Sequence, residues 1–326
     1  MIDVSVVIVN WNTRELLHQT LTTLYKETIN TSFETIVYDN GSTDGSVDLI
    51  HGEWPQVSLI ASPINRGFAV GNNSGFRQCR GRYILLLNSD TIVLASTIKS
   101  MTRILDEHPD AGCVGCRHLN GDGSLQRSMD NYPSLLNDFL SYTELHRLNI
   151  FQPLLRKKFA WWSDHNASRK VDWVNGACMM VRREVVEQVG GLDEEFFIYA
   201  EEIDWCYRMS KAGWNIYFTP EGEIIHLGGK AMDSVPDRRL ILKYIGQYRF
   251  YRKHYSIWRQ FLFRILVAAI AISRMMLILF LQVTKLLRRS ISSTKWEKLT
   301  QEPIVTSPAA MLRVWWKILW LPKKLQ

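Results

Sequence analysis

An α/β fold built on an open, mostly parallel sheet flanked by helices is what this sequence predicts, on three observations. Val4 to Val9 form a largely β-branched run that ends at Asn10-Trp11-Asn12, the pattern of an interior parallel strand opening into a loop. Strand and helix patterns then alternate as far as Leu87. Beyond about residue 235 the alternation gives way to long basic, aromatic and apolar stretches, which sets an α/β domain over 1–235 apart from a helical extension over 236–326.

The elements follow in order. From Thr13, TRELLHQTLTTLYKE carries Leu16, Leu17, Leu21 and Leu24 at helical spacing, and Glu34-Thr35-Ile36-Val37-Tyr38 restores strand character. A third strand is expected over Val57–Ala61, a Gly/Asn-rich turn and helix over 65–79, and a strand over Tyr83–Leu87. Residues from about 117 to 170, with Trp161-Trp162, are weakly patterned and read as a mobile acceptor-side loop. Regular signal returns at Val171-Asp172-Trp173-Val174. It continues through a helix near Arg183, the loop Gly190–Phe197, a helix near Glu201 and a strand over Asn215–Thr219. Ligands of such sheets sit at the C-terminal ends of the strands.

In the extension, KYIGQYRFYRKHYSIWRQ is basic and aromatic, and FLFRILVAAIAISRMMLILFLQVTKLL is mostly apolar. Arg264, Arg274 and Lys285 divide the apolar stretch into uncharged runs shorter than the ~18–20 residues of a membrane span. On a helical wheel Gln260, Arg264, Arg274, Gln282, Lys285 and Arg289 fall within about 80° of one another, with Val267, Ala271 and Ile278 on the same side. A helix lying in the membrane interface is expected. Packing on the chain's own domain, or on a second copy in a homo-oligomer, is the alternative. MLRVWWKILWLPKKL repeats the mixture. The net charge of +7 calls for a polyanionic neighbour, and late basic residues at 157–158, 288–289 and 323–324, the last two pairs among Leu, Ile and Trp, point to an anionic membrane surface rather than nucleic acid.

The five cysteines are scattered and odd in number, which argues against a disulfide framework and for a reducing compartment. Cys113 and Cys116 have a two-residue spacing but no second Cys or His pair at metal-finger spacing, so they read as buried, inert thiols. MIDVSVVIVN has an acid at Asp3 and no basic leader, so it reads as a strand and not a signal peptide; the catalytic part is expected at the cytoplasmic face of the membrane, peripheral or monotopic.

Five clusters carry chemistry. DNGSTDGS puts Asp39 at a strand end before a tight turn, where a carboxylate can accept hydrogen bonds from a base or ribose. In NRGFAVGNN, Gly67 permits close backbone approach, Arg66 adds a cation, and Asn72 or Asn73 can cap a helix or reach a ligand. LLLNSD ends a strand at Asn88-Ser89-Asp90, and an acid emerging there is poised to hold a hard cation. In AEEIDWCYR, helical spacing pairs Asp204 with Arg208 and leaves Glu202 turned elsewhere, free to act as a base. His226, after Glu223-Ile224-Ile225, can complete a metal site with Asp90.

Taken in order, SVVIVNWN, DNGSTDGS, NRGFAVGNN, LLLNSD, DWVNGACMMVRR, GGLDEEFF, EEIDWCYR and His226 resemble the family-2 inverting glycosyltransferases of GT-A fold. Among these the chain is most similar to the rhamnosyltransferase-type enzymes of bacterial O-antigen and cell-wall polysaccharide synthesis. The resemblance covers about residues 3–230. It implies that Asp39 accepts the N3–H of uracil or thymine, with Asn10, Ser42 and Arg66 nearby. It implies Mg²⁺ or Mn²⁺ at Asp90 and His226, with Asn88 standing where the family often has a first acid. Glu202 takes the position of the catalytic base, with Glu201 as the alternative, and Trp173, Asn175, Gly176 and Asp204 lie on the acceptor side. The donor implied first is dTDP-rhamnose and the acceptor a lipid-linked saccharide. UDP-galactofuranose, UDP-glucose and UDP-N-acetylglucosamine are the alternative donors, and a catalytically silent nucleotide-sugar-binding partner is the reading outside enzymes. A nucleotidyltransferase would need an early Gly-rich basic loop, which Asn10-Trp11-Asn12 is not.

Overall fold

In the computed structural model, which describes residues 2–143, 160, 165–228, 236–287 and 308–320, the run Val4–Asn10 is strand β1, set between parallel partners β2 (Phe33–Asn40) and β4 (Tyr83–Asn88). Strand β3 (Ser58–Ser62) extends the parallel half beyond β2. Helices α1 (Arg14–Glu27), α2 (Ser46–Glu53) and α3 (Phe68–Phe76) connect these strands, and α1 buries Leu17, Thr20, Leu21 and Leu24 at the spacing read from the sequence. Strand β3 begins one residue later than expected. Helix α3 follows the turn over 65–67, where Gly67 has φ +93°, and ends at Phe76, three residues before the limit expected.

The chain continues through β5 (Thr91–Val93), α4 (Thr97–Glu107), β6 (Ala111–Leu119), β7 (Leu125–Gln126) and β8 (Met129–Asp130). It then leaves this unit for α5 (Leu135–Thr143). On return come β9 (Arg169–Val171), β10 (Trp173–Val174), β11 (Cys178–Arg182), α6 (Arg183–Val189), α7 (Glu201–Lys211) and β12 (Asn215–His226). The large sheet runs β3-β2-β1-β4-β11-β6-β12-β5; β11 is antiparallel to both neighbours and β12 is parallel to β6. Strand β12 runs seven residues past the Asn215–Thr219 expected, through a register shift between Thr219 and Glu223 that carries it on to His226.

Two stretches depart from the sequence reading. No element is assigned from the sequence between Asp90 and Arg117, where β5, α4 and most of β6 lie; β6 is a buried central strand whose Gly and Cys residues fit a crowded interior without a period-two pattern. All five cysteines are free and buried, and burial pushes the Cys113 and Cys116 thiols up. Residues 117–143, expected within a mobile loop, are instead the end of β6, a hairpin, β8 and α5. Trp161-Trp162 and the basic pairs at 157–158, 288–289 and 323–324 lie outside the described residues.

The chain divides into two compact units, Met1–Tyr132 with Arg147–Ala231, and Pro133–His146 with Met232–Gln326. In the second, α5 joins α8 (Pro236–His254), α9 (Ile257–Leu287) and α10 (Pro308–Trp320). Tyr244, Tyr251, Phe263, Val267, Ala271, Val314, Trp315 and Ile318 form its core, and Tyr251 stacks on Phe263 at 4.2 Å. The buried Asp138 ties α5 in, accepting from Tyr251 Oη at 2.6 Å and Gln247 Nε2 at 2.8 Å.

Arg264 and Arg274 do not interrupt α9. Arg is a good helix former, and Arg274 donates to the Tyr142 carbonyl within the unit. Ile257–Thr284 is long and apolar enough, by length and composition, to cross a membrane. The side of α9 bearing Gln260 and Arg274 is the side packed inward with Val267, Ala271 and Ile278. The opposite side exposes Trp258, Phe261, Ile265, Ile272, Met276 and Phe280, the last two to 64% and 63%.

Helix α3 crosses β1 and β2 closely at Gly71, where an added Cβ would lie 2.9 Å from both Val9 methyls and 3.0 Å from Tyr38 Cδ1. Overpacking costs about 1–3 kcal/mol against about 1 kcal/mol gained from helix propensity. Gly71→Ala is therefore expected to lower stability in chemical denaturation, and a stabilised variant would refute the close crossing.

Candidate active site

The register of the parallel strands sets Asn10 opposite Asp39 and Val9 opposite Asn88, so β1, β2 and β4 end level with one another. A buried hydrogen-bond network fastens these ends. Asn10 Nδ2 donates to Asp39 Oδ2 at 2.9 Å and to Ser42 Oγ at 3.1 Å, while Asp39 Oδ1 accepts from the Ser42 N–H. Asn10 Oδ1 accepts from Thr13 Oγ1 at 2.7 Å, and that hydroxyl shares a hydrogen bond with Ser89 Oγ. Asp39, Asn10 and Ser42 are thus brought together by mutual hydrogen bonds.

Asn40 extends the network to the next loop. Its Oδ1 accepts from the Arg66 N–H at 2.7 Å and its Nδ2 donates to the Gly67 carbonyl. The Arg66 side chain is exposed beside it. Gly67 does permit a close backbone approach, but the backbone that approaches is the chain's own: Phe68 N–H donates to Phe197 O at 2.7 Å, and a Cβ on Gly67 would lie 2.6 Å from that oxygen. Asn73 grips the same loop, exchanging hydrogen bonds with the backbone of Leu192. Asn72 turns back to Phe68 O within α3.

At the end of β4, Asp90 and His226 meet: Asp90 Oδ1 lies 3.3 Å from His226 Nε2, and Asn88 Nδ2 lies 3.3 Å from the same nitrogen. Asn88 Oδ1 is buried with no hydrogen-bond partner. A carboxylate, an imidazole and an amide oxygen are a hard-to-borderline donor set that fits Mg²⁺ or Mn²⁺. Among the described residues no group of three His, Cys, Asp or Glu side chains converges, so diphosphate oxygens and water would have to complete such a shell. His118, fully buried on β6, lies edge-on to His226 with ring centroids 6.0 Å apart, and burial holds its imidazole well below the usual histidine range.

The acids of α7 stand behind two non-glycine residues with left-handed backbone, Tyr199 at φ +72° and Ala200 at φ +70°. Such strain, of order 1–3 kcal/mol each, clusters at functional sites. Glu201 is buried, and burial together with the neighbouring Glu202 pushes its carboxyl well up. Glu202 is half-buried; desolvation outweighs three backbone hydrogen bonds and raises it to about 7. Its Oε2 has no hydrogen-bond partner.

Asp204, fully buried, pairs with Arg208 at 2.8 Å, and that guanidinium also donates to the carbonyls of Val189 and Gly191. The Asp204 carboxylate therefore braces the 190–197 loop. Gly176 faces Glu202, whose Cβ would be 3.5 Å from an added Cβ. Asn175 joins the β8 and β10 segments through Ser128 O and the Ala177 N–H. Trp173 is 8% exposed and donates its indole N–H to Asn131 O. Thr13, Asn40, Ser89 and Phe197 belong to the framework of the site and were missed individually, although each lies in or beside a motif singled out in the sequence.

A family model described as glycosyltransferase-like family 2 matches residues 3–240. The chain is 28% identical over 236 residues to the N-acetylglucosaminyl-diphospho-decaprenol L-rhamnosyltransferase of Mycobacterium tuberculosis, covering 68% of this chain and 76% of that protein. It is 27% identical over 168 residues to the rhamnosyltransferase WbbL of Escherichia coli, covering 49% and 60%. Among solved structures it resembles the mannosyltransferase PcManGT of Pyrobaculum calidifontis, determined with GDP-Man and Mn²⁺, at a TM-score of 0.54 and 16% identity over 97% of this chain and 87% of that one. It also resembles GalNAc-T7, determined with UDP, GalNAc and Mn²⁺, at 0.52 and 15% identity; the match spans 74% of this chain and 47% of that one. These likenesses establish the GT-A fold.

Replacing Arg208 by Met takes the cation away from the buried Asp204. Stability is expected to fall by about 3 kcal/mol, as for other broken buried pairs. An unchanged denaturation midpoint would show that the pair does not brace the loop.

Proposed function

The chain belongs to the glycosyltransferase-like family 2, and from that premise we propose that it moves rhamnose from dTDP-rhamnose to a lipid-linked saccharide at a membrane surface, with inversion at the anomeric carbon. The observation that carries the catalytic reading is Glu202: a half-buried carboxylate held near neutrality, facing Gly176 and standing on a strained turn. The rhamnosyl and lipid-linked parts rest on the names of the two rhamnosyltransferases.

Glu202 takes the proton of the acceptor hydroxyl as that oxygen bonds to the anomeric carbon. The bond from that carbon to the diphosphate breaks on the opposite face, and its electron pair leaves with the nucleotide. Asp39, with Asn10 and Ser42, receives the pyrimidine, and Arg66 lies beside the nucleoside. A divalent cation held by Asp90 and His226, with Asn88 adjoining, would neutralise charge on the departing diphosphate. Because a protonated Glu202 cannot accept, turnover is expected to rise with pH through about 7 and level off above it. Glu202→Gln should keep donor binding and lose turnover by a factor of a hundred or more, on the order of general-base catalysis. Wild-type turnover in that variant would remove Glu202 from the base role. A donor panel with a lipid-diphosphate-linked acceptor tests the sugar: faster nucleotide release from a UDP-sugar than from dTDP-rhamnose would overturn that choice.

The membrane part rests on α9 and α10. The exposed side of α9 is apolar and aromatic, and α10 exposes Trp316 between Arg313 and Lys317, a mixture suited to anionic lipid. Truncation after residue 235 would also strip α5 of its partners, so charge on the exposed side is the cleaner test. Phe261→Glu, Ile272→Glu and Met276→Glu together are expected to abolish co-sedimentation with phosphatidylglycerol vesicles while leaving donor hydrolysis intact. Continued sedimentation would rule out this face.

A further inference from the structure

Beside the Asp90–His226 pair lies a side chain for which the catalytic reading has no use. Gln126 sits on β7, delivered by the tight hairpin Asn120–Ser124 with Gly123 at φ +81°. Its amide grips His226 at two points: Gln126 Nε2 donates to the His226 backbone carbonyl at 3.0 Å, and Gln126 Oε1 lies 2.6 Å from His226 Nδ1. The same Nε2 donates to Asn120 Oδ1 at 2.8 Å.

This geometry fixes proton positions. A backbone carbonyl only accepts, so the end of the amide facing it must be the NH₂ group, and the end facing His226 Nδ1 must be the oxygen. An amide oxygen also only accepts, so Nδ1 carries the ring proton. In the neutral ring Nε2 is then bare, and it is the bare nitrogen that stands 3.3 Å from Asp90 Oδ1. Two acceptors face each other there, with Asn88 Nδ2 donating to Nε2 from one side. Either a second ring proton, which would make His226 an imidazolium paired with Asp90, or a metal cation between them relieves that opposition.

We propose that Gln126 is the positioning residue of this site, fixing the tautomer and plane of His226 so that Nε2 presents its lone pair beside Asp90 to a divalent cation. This rests on the reading of Asp90 and His226 as metal ligands. Outer-shell partners of ligating histidines typically change metal affinity by about 10–100-fold when removed.

The test has two arms on the full chain. In the metal-free protein at pH 8, ¹⁵N-histidine spectra are expected to show His226 protonated at Nδ1 and bare at Nε2, and Gln126→Leu should abolish that preference. A wild-type ring protonated at Nε2, or an unchanged spectrum in the Leu variant, overturns the proposal. In the second arm, Mn²⁺ alone is titrated and followed by electron paramagnetic resonance. Gln126→Leu should weaken binding about 10–100-fold. Gln126→Glu, which still accepts from Nδ1–H but cannot donate to the His226 carbonyl or Asn120 Oδ1, should recover part of it, and thermal denaturation of both variants guards against a folding defect. If Asp90→Ala loses Mn²⁺ but Gln126→Leu binds like wild type, the positioning role falls while the metal reading stands. If wild type and Asp90→Ala bind Mn²⁺ equally poorly, the metal reading itself falls, and the tautomer arm still decides what Gln126 does.

Discussion

The side-chain amide of Asn10 holds the working edge of this protein together. It is fully buried at the end of β1, where a parallel strand leaves its last polar groups without ladder partners, and it answers that by bonding outward in both directions. Its nitrogen reaches Asp39 and Ser42, and its oxygen reaches Thr13 and through it Ser89. The ends of three strands are thereby locked to the loops that leave them. Asn40 repeats the device one residue along β2 and fixes the backbone of Arg66 and Gly67. Fully satisfied networks of this kind rigidify a site, whereas a half-satisfied one would destabilise it.

From that edge the constraint passes to the acids of α7 through a single loop. Residues 190–200 bond to the backbone at Phe68 by way of Phe197 and to Asn73 by way of Leu192, and they end in the strained Tyr199-Ala200 pair before α7. Arg208 grips the start of the same loop and is itself held by the buried Asp204. The acids at the start of α7 are pulled two ways: a helix N-terminus and its N–H groups favour the charged form, and burial opposes it. Burial prevails, which leaves Glu202 near neutrality and pushes Glu201 well up.

The second unit applies a different rule. Helix α9 has a mixed side and an apolar side, and the mixed side is the one it buries. Arg274 and Gln260 turn to carbonyls of Tyr142 and Tyr255, so their polar groups are satisfied within the unit. The apolar face left outward after such packing is the kind of surface that marks an interaction site.

Much of this was legible in the sequence, because periodicity and strand-end punctuation are local. The run Val4–Val9, the leucines of α1 and the abrupt polar ends at Asn10, Asp39 and Asn88 report the parallel half of the sheet and the level ends of its strands directly. Asp90, His226 and the Glu201-Glu202 pair also stand out in the sequence, and the fold brings Asp90 and His226 within 3.3 Å of each other. The strand β6 was not legible, since a central strand built of Gly and Cys has no alternation to read, and α5 carries nothing to say that its partners lie more than a hundred residues on. Nor did local pattern show which side of α9 turns inward, that burial holds Glu202 near neutrality, or that Gly67 makes room for Phe197. Those outcomes depend on burial and on partners distant in the chain, quantities that exist only once the elements have packed.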